Sequence, residues 1–189
     1  MLWLIPVLGY FLGSIPTAYI AGRLLKGKDI RQMGDGNMGA RNAFQQLGAK
    51  VGVAVGIVDA AKGILAILIA QAANIPQVAV LITGATVVVG HNWPAFLSLR
   101  GGRGESTTIG VLLTLITQPM LIMAAPALAA LFTLRNVTKA SAVLFVPLPL
   151  VCWWLGMPGS LISYSIALPC MVGFTHFIRT RHLPVRQRS

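Results

Sequence analysis

Apolar runs dominate the chain and are separated by short polar breaks. They fall at about 2–22, 51–73, 76–98, 105–118, 120–134, 140–156 and 159–178. A bilayer-spanning helix needs about 20 apolar residues. The pattern therefore predicts an all-α polytopic membrane protein with about seven transmembrane helices, the fourth and fifth of them short. Asn74-Ile75-Pro76, Gln118-Pro119 and Gly156-Met157-Pro158-Gly159 supply turn chemistry between runs. With no internal repeat or low-complexity linker, residues 1–189 read as a single integral membrane domain.

Composition agrees. The 189 residues are 56% hydrophobic and 10% charged, against about 25% charged in a typical soluble domain. Such a chain has too little polar surface to cover a water-facing globule. The net charge of +11 would raise nucleic acid as a partner in a soluble protein; without a separate polar domain to bind it, nucleic acid is excluded here. Lys and Arg cluster at 23–50, at 100 and 103, at 135 and 139, and at 179–188, with Lys62 the one other basic residue. Seven spans with the N-terminus outside put all four clusters on one side, and the opposite connections carry no Lys or Arg. The positive-inside rule then predicts N-terminus out and C-terminus in. The cytoplasmic segments are about 23–50, 99–104 and 135–139, with a basic tail at 179–189. Residues 1–22 lack a basic leading region and a small-residue cleavage site, so they read as a retained first helix. Cys152 and Cys170 lie in apolar stretches and behave as small hydrophobes; no metal-ligand spacing is present, and no cofactor is implied.

Two segments on the basic face suit anions. Gly34-Asp35-Gly36-Asn37-Met38-Gly39-Ala40-Arg41-Asn42 can bend so that backbone N–H groups line a concavity, and Arg41 adds a donor fork. Arg100-Gly101-Gly102-Arg103-Gly104-Glu105 precedes an apolar run, so two arginines and three glycines lead into a helix N-terminus, which favours negative charge. Either segment alone is more often a turn or a set of orienting charges. Asp59 and Lys62 are three residues apart inside a span and share a helix face, which predicts a self-neutralising structural pair. His91, in His91-Asn92-Trp93-Pro94, is placed to orient the arginine loop or to anchor the interface. Thr138 lies in another basic connection, and His182 lies in the basic tail. Only four acids exist, Asp29, Asp35, Asp59 and Glu105, and no Ser-His-Asp set or HExxH motif occurs. Catalysis would then rest on positioning and electrostatic stabilisation.

In order and spacing, Gly13-Ser14-Ile15-Pro16, the 34–42 loop, Asp59-Ala60-Ala61-Lys62-Gly63, Gly90-His91-Asn92-Trp93-Pro94-Ala95-Phe96 and Arg100-Gly101-Gly102-Arg103-Gly104 make a chain that resembles the bacterial acyl-phosphate-dependent glycerol-3-phosphate acyltransferases over nearly its whole length. The resemblance implies seven membrane helices in the bacterial inner membrane with a cytoplasmic active face. It implies acyl transfer from acyl phosphate to glycerol 3-phosphate, giving lysophosphatidic acid for phospholipid synthesis, without metal, cofactor or acyl-CoA. An acyl-phosphate synthase docking on the cytoplasmic face is a further implied partner. By position, Gly34, Gly36, Asn37, Gly39 and Ala40 would cradle phosphate through N–H groups, with Asp35, Arg41 and Asn42 beside them. Arg100 and Arg103 stand where the family has lysines and, with His182, would do the catalytic work. Gly101, Gly102, Gly104 and Thr138 would line the substrate; Thr138 stands for a serine. His91, Asp59 and Lys62 would support the site. Asp35 replaces a serine, Gln45 an arginine and Val185 an asparagine. A carboxylate at 35 beside an anion requires a compensating cation, and Arg41, in place of a threonine, is the expected one. The substitutions at 35, 45 and 185 leave two alternatives: a member with another acceptor, or a non-catalytic membrane protein that binds anions or lipid precursors.

Overall fold

The computed structural model describes residues 3–181, which are helical with no strand among them. Six helical stretches in the described residues are long and apolar enough to cross a bilayer: Leu4–Lys26, Ala49–Ala72, Gln77–Leu97, Thr117–Leu134, Val137–Trp154 and Gly159–Thr180. Glu105–Leu115 is apolar but shorter. The chain divides into two compact units, Met1–Val111 and Leu112–Ser189.

In the first unit the initial span is a broken helix, α1 (Leu4–Gly13) and α2 (Thr17–Lys26), rather than the continuous helix expected over 2–22. Pro16 has no N–H to continue the ladder, and the chain leaves helical geometry there. A short α3 (Ala40–Leu47) leads through Gly48 into α4 (Ala49–Ala72), and α5 (Gln77–Asn92) follows. Helix α3 was hidden inside the expected cytoplasmic loop. It is amphipathic: Ala43 is fully buried while Phe44 and Gln45 are exposed. Helix α6 (Glu105–Leu115) begins at the end of the arginine loop.

Small residues let these helices touch. A Cβ on Gly13 would collide with the Val87 carbonyl, and one on Gly90 with the Tyr10 carbonyl, so α1 and α5 pack backbone to backbone. Gly63 and Gly110 do the same for α4 and α6. A separate small core of Ala18, Ile30, Met38, Ala43 and Val55 lies under the 27–39 loop, with Tyr19, Met33, Leu47 and Leu97 packed against it. Ile30 and Met38 are thus apolar pins that fix an otherwise polar loop to the bundle.

The second unit consists of α7 (Thr117–Leu134), α8 (Val137–Phe145), α9 (Leu148–Trp154) and α10 (Gly159–Thr180). The Asn136 side chain accepts from the Lys139 N–H at 3.0 Å, capping α8. Pro147 stands between α8 and α9 within one apolar stretch, and Pro149 falls in the first turn of α9. Trp153 and Trp154 are exposed, as suits side chains that meet lipid.

Candidate functional site

The site lies in the first unit, where the 34–42 loop meets the 100–104 loop. Gly34 and Gly36 both have positive φ, 58° and 70°, a region costly for other residues. A Cβ on Gly34 would also collide with Asn42 Oδ1. Asn42 is fully buried. Its amide nitrogen lies 3.3 Å from the Ile30 carbonyl, 2.9 Å from that of Met33 and 2.9 Å from that of Asn37. Asn42, expected among the substrate contacts, braces the loop through its amide nitrogen, while its Oδ1 is buried without a hydrogen-bond partner among the described residues.

Two of the five N–H groups expected to cradle phosphate are engaged within the loop. Gly36 donates to the Met33 carbonyl at 3.0 Å, and Asn37 donates to Asp35 Oδ1 at 3.0 Å. Gly39 opens α3, and no side chain caps that helix. Its first-turn N–H groups, from Ala40 onward, have no partner inside the helix. The position a Cβ would take on Gly56 of α4 lies 3.3 Å from Ala40 Cβ and 3.9 Å from Ser106 Oγ. Residues at the starts of α3 and α6 therefore both approach Gly56 of α4.

Arg103 sits at this junction. Its Nη2 donates to Asp35 Oδ2 at 2.7 Å, and both side chains are nearly buried. The cation that compensates Asp35 is thus Arg103, not Arg41, which makes no ion pair among the described residues. Burial explains the choice: Arg103 needs a counter-charge, whereas Arg41 retains access to water. Arg100 is exposed at the rim.

The arginine loop hangs from the end of α5. Gly101 donates to the Asn92 carbonyl at 3.1 Å and Gly102 to the His91 carbonyl at 3.0 Å. A Cβ on Gly102 would overlap the His91 ring, so only glycine lets the loop lie flat on it. Gly104, at φ 82°, accepts from the Thr108 N–H at 2.8 Å and starts α6.

Behind the loops lies a buried ionic cluster. Lys62 Nζ reaches Asp59 Oδ1 at 2.6 Å, the Ile15 carbonyl at 2.6 Å and Thr17 Oγ1 at 2.5 Å. Thr17 donates to Asp59 at 2.9 Å, and His91 Nδ1 is 3.7 Å from the same carboxylate. The pair expected at 59 and 62 thus ties the break in the first span to α4 and α5. A surface clamp adds to it: Arg31 chelates Asp29, with the shortest contact 2.7 Å, and donates to the Leu97 carbonyl at 3.2 Å. The hydrogen bonds from Arg31 hold the Asp29 carboxyl below its usual range, and Asp29 in turn raises Arg31. Neither Thr17 nor this clamp was singled out from the sequence. The one signal for Thr17 was its place just after the proline break.

Thr138 lies in the first turn of α8 in the second unit, exposed. His182 and Val185 fall outside the described residues.

Residues 3–188 match the family model described as glycerol-3-phosphate acyltransferase. The chain belongs to the glycerol-3-phosphate acyltransferase family. It is 51% identical over 175 residues to glycerol-3-phosphate acyltransferase 4 of Dehalococcoides mccartyi, covering 93% of this chain and 95% of that one. It is 36% identical to the glycerol-3-phosphate acyltransferase of Desulforudis audaxviator, covering 89% and 85%. The fold matches the crystal structure of PlsY (YgiH), an integral membrane glycerol 3-phosphate acyltransferase, in its glycerol 3-phosphate form. That match has a TM-score of 0.86 at 30% identity and covers 96% of this chain and 91% of that one. The lysophosphatidic acid form of that protein matches with a TM-score of 0.81 at 27% identity, with the same coverage. The chain is therefore a multi-pass membrane protein of this acyltransferase family.

Proposed function

We propose that this acyltransferase moves an acyl group from acyl phosphate to glycerol 3-phosphate, forming lysophosphatidic acid and phosphate. The buried arginine that joins the two glycine loops just ahead of α6 carries the reading, because a guanidinium held there suits a phosphate-bearing reactant. The phosphate of the donor lies against Gly34, Gly39 and Ala40 at the start of α3. Arg103 and Arg100 hold the phosphate of glycerol 3-phosphate. The acceptor hydroxyl attacks the acyl carbon, a new ester C–O bond forms, and the bond from the acyl carbon to the phosphate oxygen breaks. Three of the four carboxylates, Asp29, Asp35 and Asp59, are held in ion pairs. In this reading the departing phosphate takes the proton, and the protein contributes position and charge.

The charge pattern supports a cytoplasmic site in the bacterial inner membrane. Only if Glu105–Leu115 counts as a crossing do Arg135, Lys139 and the basic tail share a side with the arginine loop. On that topology the basic face is also where an acyl-phosphate synthase would deliver its product.

The test is product formation by purified protein given glycerol 3-phosphate with either palmitoyl phosphate or palmitoyl-CoA, read by mass spectrometry. Lysophosphatidic acid from the phosphate donor alone is expected, with none from Arg103→Ala. Transfer from the thioester, or undiminished transfer by Arg103→Ala, would overturn the reading.

A further inference from the structure

Asp35 and Arg103 are 68 residues apart in sequence and come from the two loops of the site. One carboxylate does two things. Oδ1 accepts the Asn37 N–H at 3.0 Å and closes the turn of the first loop. Oδ2 takes the Arg103 guanidinium of the second loop at 2.7 Å. The two side chains are only 9% and 12% exposed for Arg103 and Asp35 respectively. Arg103 Nε is buried with no hydrogen-bond partner among the described residues. A guanidinium is a rigid planar fork of five N–H donors. Asp35 engages it at Nη2, which tethers the group to the first loop while Nε–H makes no hydrogen bond.

We propose that Asp35 is a positioning residue. It holds Arg103 through Nη2 so that the remaining N–H donors, Nε among them, are left for the phosphate of the incoming acceptor. The inference rests on the proposed function, which makes Arg103 a phosphate ligand. An unpaired carboxylate here would repel that phosphate. A carboxylate already joined to the guanidinium leaves little net charge, and a pre-held arginine loses less side-chain freedom on binding. The two roles predict opposite signs for removing the charge, so the choice is experimental.

The experiment is steady-state kinetics of the full-length protein, with glycerol 3-phosphate varied at saturating palmitoyl phosphate. Asp35→Asn, Asp35→Ser, Asp35→Glu and Arg103→Ala are compared, and thermal melting in detergent monitors folding. The expected result is a KM for glycerol 3-phosphate raised about ten-fold or more in Asp35→Asn and Asp35→Ser, the factor for losing a charge-assisted hydrogen bond. The kcat should change much less, and Asp35→Glu should recover most of the KM. An unchanged or lower KM in Asp35→Asn and Asp35→Ser would overturn the proposal. So would parallel losses of kcat and melting temperature in all three Asp35 variants, which would mark a purely structural carboxylate. An Arg103→Ala protein with wild-type kinetics would instead bring down the phosphate-ligand reading itself. An inactive Arg103→Ala beside an unaffected Asp35→Asn would bring down only the positioning role.

Discussion

Replacing Lys62 with methionine tests the buried cluster that supports both loops. Lys62 and Asp59 are 4% and 1% exposed. Methionine keeps most of the length of the side chain and removes the charge. Asp59 then keeps one hydrogen bond, from Thr17 at 2.9 Å, with His91 Nδ1 at 3.7 Å. The Ile15 carbonyl loses its ammonium donor at the break in the first span. Leaving one member of a buried ion pair alone costs about 3–5 kcal/mol, a factor of roughly 150 or more in the folding equilibrium at 1.4 kcal/mol per ten-fold. Adding Asp59→Asn removes the stranded charge, so the double variant should regain at least about half of the loss. Thermal and denaturant unfolding in detergent would report both variants, and activity at low temperature would report whether the loops stay in place. If Lys62→Met unfolds within about 1 kcal/mol of the parent, or the double variant is simply additive, the cluster is not what joins the broken helix to α4 and α5.

Other expectations follow from single contacts. Gly102→Ala places a Cβ in the His91 ring and should cut kcat/KM at least about ten-fold while leaving membrane insertion unchanged; normal kinetics would show that the loop can shift at no cost. Asn42→Ala removes the amide that reaches three loop carbonyls and should cost about 2–3 kcal/mol in melting experiments. The Asp29 carboxyl is held low by Arg31, so its stabilisation is complete above the unfolded value of about 4 and fades as pH falls through the lower folded value. Asp29→Asn should therefore lower stability at neutral pH and flatten its acid dependence, and an unchanged acid profile would contradict the clamp. On the proposed topology, a cysteine at Ser98 in a cysteine-free protein should react only from the cytoplasmic side and one at Gly156 only from the other. Labelling of both from one side would refute the parity of crossings.

The spans were legible because hydropathy alone sets them: the runs at 51–73 and 159–178 became helices close to those bounds, and 76–98 became α5 followed by a short helical turn at Ala95–Leu97. The break in the first span was not, because Ser14-Ile15-Pro16 is short and sits in an apolar run. The Ile15 carbonyl at the break is met by Lys62, a residue 47 positions away. Helix α3 was masked by the basic residues around it, although Gly39 and Gly48 bracket it and Ala40, Ala43 and Leu47 keep a helical spacing toward the core. The two site loops were recognisable as glycine-plus-arginine segments, but their pairing was not. Sequence proximity pointed Asp35 toward Arg41, and only the fold shows that burial gives the partnership to Arg103. Asp35 accordingly reads from sequence as a defect beside an anion, whereas in the fold it joins the two halves of the site.

The most direct test of the phosphate-handling site is release of inorganic phosphate from a long-chain acyl phosphate by the purified protein in lipid mesophase, with and without glycerol 3-phosphate. The account predicts release that requires glycerol 3-phosphate, matches lysophosphatidic acid mole for mole, and disappears in Arg103→Ala. Release that ignores the acceptor, or no release where another family member turns over, would contradict it.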